Sequence, residues 1–158
     1  MRLTLLLGAA VVAASITIPA LADSADRVAL TARMTAEEEV ATPGPPGAKG
    51  TALLDIDEDA SQLCYQLSYS GITKPNAGKV HRGAKGAAGP PVLDLDVAKN
   101  GDKACTQANR ETLHDIVSDP PSHYVNLYTA DFPDGAIRGQ LTRGPLTTPG
   151  RTTIGAAP

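Results

Sequence analysis

Apolar and polar positions alternate most regularly near the end of the chain. Over Tyr124 to Thr129, Val125 and Leu127 alternate with Asn126 and Tyr128, the two-residue period of a half-buried strand. Phe132-Pro133-Asp134-Gly135 then supplies a tight turn, because Pro133 presets its φ and Gly135 tolerates a positive one. A second strand over Ala136 to Thr142 completes a hairpin, which needs a covering sheet to be stable in water. Upstream, Val28, Leu30, Ala32 and Met34 predict a strand over Arg27 to Met34. Ala52, Leu54 and Ile56 predict a second over Gly50 to Ile56, and Leu63, Tyr65, Leu67 and Tyr69 a third over Gln62 to Ser70. After a short segment, Lys79 to Arg82, a fifth strand over Val92 to Val97 turns Leu93, Leu95 and Val97 inward.

Proline and glycine punctuate these runs. Thr42 to Gly47 and Gly83 to Pro91 read as loops, and Asn100-Gly101-Asp102 as a turn. One helix is predicted, capped by Asn109, with Leu113, Ile116 and Val117 on one face and Asp119-Pro120 at its end. Short strands, turn residues between them and one helix predict an all-β fold. The expected architecture is a Greek-key or immunoglobulin-like β-sandwich of about seven strands with one short inserted helix.

Composition changes the picture at the ends of the chain. Arg2, an apolar run from Leu3 to Ile18 and Ala20-Leu21-Ala22 form the n-region, h-region and A-x-A site of a cleaved signal peptide over residues 1–22. A membrane anchor competes with that reading, but the run is short and Pro19 ends it. The domain then covers 23–143, and the Gly-, Pro- and Thr-rich residues 144–158 read as a disordered tail. The expected location is secreted or periplasmic, with no membrane span after cleavage. A formal net charge of −3 without a Lys/Arg cluster makes the chain a poor candidate for nucleic acid or anionic membranes, and no nucleic-acid partner is expected. With no Trp, four Tyr and one Phe, the core must be aliphatic and benefits from a staple. Cys64 and Cys105 are the only cysteines, and in an exported chain they predict a disulfide. Thiolate metal ligation is the alternative, though their spacing is no zinc motif.

Candidate chemistry is sparse. Arg138 and Gln140 share one strand face, and Asp131 and Asp134 lie in the preceding turn, so an Arg138–carboxylate pair bracing the hairpin is expected. The competing functional reading is a polar ligand patch of His81, Arg82, Asn126, Arg138 and Gln140. His114 and His123 have no ligand spacing to His81 and read as surface residues. Asp55 to Asp59 opens like a calcium loop, but Ala60 and Gln66 stand where the glycine and bidentate carboxylate would be needed. Gly83 to Pro91 could form a backbone-rich binding rim. No G-x-S-x-G, recognisable triad spacing or paired carboxylates suggest catalysis, so a non-enzyme without a cofactor is expected.

The motifs E-E-E-V (Glu37 to Val40), G-T-A-L-L-D-I-D (Gly50 to Asp57) and L-C-Y-Q-L-S-Y-S-G-I (Leu63 to Ile72) stand in a characteristic order. V-H-R-G-A-K-G-A-A-G-P-P-V (Val80 to Val92) and Y-V-N-L-Y-T-A-D-F-P-D-G-A-I-R-G-Q-L (Tyr124 to Leu141) follow. Together they resemble the chordin-type (CHRD) domain, as found alone in exported microbial proteins. The resemblance implies an extracytoplasmic all-β domain with no established activity, and a cysteine pair where single-domain members often carry one. Members commonly have histidines where this chain has Lys79 and Tyr128, and only His81 matches. Signal peptide, resemblance and the lack of a catalytic set together lead to the expectation of a binding or structural module for an unknown protein or cell-envelope partner. A copper- or zinc-binding protein, or a degenerate superoxide-dismutase-like metalloprotein using His81 as a weak candidate ligand, is the alternative.

Overall fold

A computed structural model describes residues 27–97 and 100–144. The expected signal peptide, 1–22, lies outside the described residues, as does the expected tail beyond Gly144. Among the described residues there are eight strands: β1 (Arg27–Thr35), β2 (Lys49–Asp57), β3 (Gln62–Ser70), β4 (Ala77–Arg82), β5 (Pro91–Leu95), β6 (Lys103–Gln107), β7 (His123–Tyr128) and β8 (Ile137–Arg143). One α-helix, α1 (Arg110–Ser118), joins β6 to β7, and a 3-10 turn over Ala36–Glu38 follows β1.

The strands form one antiparallel sheet in the order β5-β4-β7-β8-β1-β2-β3-β6. Residues of β1 to β5, β7, β8 and α1 all contribute to a single apolar cluster, so the sheet curls around one core until it nearly closes. The fold is all-β with one short helix, as expected, but its strands belong to one curled sheet rather than two separate ones. The seam lies between β5 and β6, which do not pair with each other. The described residues Asp96, Asn100 and Gly101 of the connection between them lie along the rest of β3. There the Asp96 N–H donates to the Tyr65 hydroxyl, the Gly101 N–H donates to Leu67 O, and the Asn100 side chain bonds Tyr69 N and O. From β6 the chain crosses through α1 to β7, which lies beside β4.

Strand alternation sets the core. Leu30, Ala32 and Met34 of β1 face inward, as do Ala52, Leu54 and Ile56 of β2 and Leu63, Tyr65 and Leu67 of β3. The helix buries Leu113, Ile116 and Val117 in the same cluster, and the Asn109 side chain caps it by accepting from Thr112 N at 2.7 Å. Arg110–Asp59 and His114–Glu58 pairs tie its outer face to the β2–β3 turn. Cys64 and Cys105 face each other across β3 and β6 and are bridged, with their Cα atoms 4.0 Å apart.

Strand β7 departs from the half-buried expectation. Its outward residues Tyr124 and Asn126 are 3% and 5% exposed, so both of its faces are covered. The cover comes from distant loops, which is where the candidate site residues gather.

Candidate functional site

Pairing places Lys79, Asn126 and Arg138 in one row across β4, β7 and β8, and His81, Tyr124 and Gln140 in the next. The outer face of three adjacent strands is therefore polar. His81 is the best fixed of these side chains. Its Nδ1 lies 2.8 Å from Gly89 O, and its Nε2 lies 2.7 Å from the Tyr128 hydroxyl. A neutral ring with its proton on Nδ1 satisfies both, donating to the carbonyl and accepting from the phenol. Burial is the main cause holding the His81 pKa below its ordinary value, and the charges of Lys79 and Arg138 push the same way. Burial, followed by Tyr124 and Glu39, raises the Tyr128 pKa to about 12, so the phenol remains a donor.

Tyr124 anchors the other side of the row. Its ring stacks on His81 with centroids 4.9 Å apart, and the Arg138 guanidinium lies 3.4 Å from its centroid. His81 and Arg138 thus reach Tyr124 from the strands on either side. The glycine-rich loop closes over this row through its backbone. Gln140 Nε2 donates to Gly83 O, Arg138 Nη2 donates to Ala84 O, and Gly89 N donates to the Tyr124 hydroxyl. A Cβ at Gly89 would overlap the Arg82 carbonyl, so only glycine lets the loop approach this closely.

Glu39 completes the cluster from the loop after β1. Asn126 Nδ2 donates to Glu39 Oε2 at 3.4 Å, while Glu39 Oε1 and Asn126 Oδ1 are buried without partners. Desolvation dominates here and raises the Glu39 pKa to about 7, against the opposing effects of the Asn126 bond and the Arg138 charge. Gly135, at φ 133°, lies flush against this carboxylate, where any Cβ would collide with it.

The structure brings together four of the five residues of the expected patch: His81, Asn126, Arg138 and Gln140. Arg82 points elsewhere and pairs with Asp115 of α1. The expected Arg138 pair with Asp131 or Asp134 is absent, because Arg138 turns to the Ala84 carbonyl and the Tyr124 ring. Asp131 instead accepts from Thr73. His114 is exposed as expected, but His123 is 1% exposed, with Nδ1 on Asp119 O and Nε2 near Asp115. Three carbonyls of the expected rim, those of Gly83, Ala84 and Gly89, face inward as tethers, while residues 84–88 are themselves exposed. Chemically, this cluster is a closed polar brace that fastens two loops to the sheet. Among the described residues no group of three or more His, Cys, Asp and Glu is placed to hold a metal ion.

An open concavity lies on a different part of the outer surface. A groove of about 870 Å³ crosses β1, β2, β3 and β6. One row of the sheet, Thr31–Leu53–Gln66–Lys103, runs across it, with Arg33 and Lys49 to one side and the disulfide-bonded Cys64 to the other. Local alternation marks these positions only as outward-facing. Nothing local reveals that four strands bring them into one groove.

Fold and site together define a small all-β domain with one near-closed sheet, a loop-fastening polar brace and an open groove. A family model for the CHRD domain matches residues 30–141, and the chain belongs to this family. No curated protein and no solved structure matches the chain. Among the described residues no helix is long and apolar enough to cross a membrane.

Proposed function

We propose that this chain is an exported, non-catalytic binding module that engages a protein or cell-envelope ligand through the groove over β1, β2, β3 and β6. The observation that carries the reading is the groove itself, the open concavity of about 870 Å³ on a domain whose candidate polar cluster is spent on fastening loops. Membership of the CHRD family supports a binding or structural role. The leader and the bridged cysteines support an extracytoplasmic location, secreted or periplasmic.

Cell fractionation with N-terminal sequencing tests the export half, and the expected mature protein begins at Asp23. Hydrogen exchange of that protein against an envelope fraction tests the binding half, with new protection expected over β1 to β3. Retention of the leader inside the cell would overturn the first. Turnover in a hydrolase or redox screen, abolished by a single substitution, would overturn the claim of a non-catalytic role. The copper or zinc alternative has to use His81, so the metal would first break a hydrogen bond from Tyr128 or to Gly89. A copper titration that leaves the His81 resonances unmoved removes it.

A further inference from the structure

The charge of the groove runs against that of the chain. The protein carries a net −3, yet Arg33, Lys49 and Lys103 line the groove and make no ion pair among the described residues. The one carboxylate in the lining, Asp55, is already paired to Arg27 at 3.4 Å. Between the cations lies Leu53, 39% exposed, one of two large apolar side chains exposed among the described residues. The rest of the row offers the Thr31 hydroxyl and the Gln66 Oε1, the Gln66 Nε2 already donating to Gly101 O.

We propose that the groove takes an extended acidic peptide segment with an apolar side chain between its carboxylates. Register gives the geometry. Arg33 and Lys49 are diagonal neighbours on adjacent strands, because Arg33 faces Thr51, two residues from Lys49. Lys103 lies two strands beyond Lys49 and four residues along. With ordinary strand spacing and rise, the Arg33/Lys49 pair is roughly 16 Å from Lys103, about the span of five extended residues. Acidic side chains about five residues apart would meet both positive ends, and an apolar residue midway would cover Leu53. Saccharide polyanions lack that apolar side chain. The segment after Gly144 carries Arg151 and no Asp or Glu, so its charge does not suit the groove.

This inference rests on the groove being the binding surface, so its test is separate from the export and envelope experiments. The probe is a fluorescein-labelled heptapeptide with paired glutamates at each end and a central leucine flanked by threonines. Its anisotropy is read against the exported protein. Saturable binding is expected, weakening roughly tenfold between about 0.05 M and about 0.5 M salt. The Arg33→Glu/Lys103→Glu double variant should weaken it at least about tenfold, and Leu53→Ser by a few-fold. All three side chains are outside the core, and unchanged melting of the variants shows that the fold is retained. Equal binding by an oligouronate of matching length, or undiminished binding by the charge-reversed variant, overturns the proposal. So does the absence of peptide binding by the folded parent protein. Protection of β1 to β3 by the envelope fraction, without any peptide binding, would leave the groove as the site and discard only the acidic-peptide occupant.

Discussion

Glu39 comes third in a run of glutamates, a pattern that ordinarily marks a solvated stretch, yet its Oε1 is buried without a partner. Desolvation raises its pKa from 4.5 to about 7, so between those values the folded state holds a proton that the unfolded chain releases. The stability due to this proton is complete below 4.5 and is lost as pH rises through about 7. Glu39→Gln mimics the protonated form. Urea unfolding should find the variant close to the parent at about pH 4.5 and more stable at about pH 8. Equal stability at both pH values would mean that the carboxylate ionises freely in the fold. His81 has the opposite sign. Its folded pKa is depressed, so the stability of its neutral ring is present above 6.5 and is lost as pH falls towards the folded value. Tyr128→Phe removes the donor to its Nε2 and leaves that nitrogen without its partner, which should cost about 1–3 kcal/mol at neutral pH. A loss below about 0.5 kcal/mol would show that water replaces the phenol.

The elements differ in how far local sequence specified them. The helix was legible from Asn109 to Asp119 because cap, apolar spacing and proline stop all lie within one short stretch. Asn109→Ala should accordingly cost about 1 kcal/mol, read by thermal melting; an unchanged melt would show that packing of Leu113 and Ile116 alone sets the helix start. Strand β6 was not legible. Lys-Ala-Cys-Thr-Gln has no strong alternation, and the strand is held by pairing with β3 and by the disulfide, both distant in sequence. The closeness of His81, Asn126, Arg138 and Gln140 was partly legible, since alternation puts the last two on one face. Their burial was not, because Glu39 and the Gly83, Ala84 and Gly89 carbonyls arrive from loops. That loop allows a prediction at its own scale. Gly89→Ala should force it off Tyr124 and His81 and destabilise the fold by at least about 2 kcal/mol in urea. A neutral result would mean that the loop is not fastened where the brace places it.

For the whole molecule, the seam between β5 and β6 is where the curled sheet is weakest. Each of these strands pairs on one side only, and β6 contributes only the half-buried Ala104 to the core margin. The Cys64–Cys105 bridge fixes β6 to β3 at their directly opposed positions. It also closes a loop spanning a sequence separation of 41 residues, which holds β4, β5 and the Gly83–Gly89 loop of the brace. On the chain-entropy account, closing that loop contributes about 4 kcal/mol, a large part of the stability of a domain this size. Reduction should therefore lower the melting temperature by on the order of 10 °C or more. It should also act unevenly. The β6 amides should lose hydrogen-exchange protection first, while β1, β7 and β8 at the middle of the sheet keep theirs. Exchange measured with both thiols shown free decides the point. Uniform loss across the sheet would mean that the bridge acts only through the unfolded chain, and unchanged melting would mean that β3 holds β6 without it.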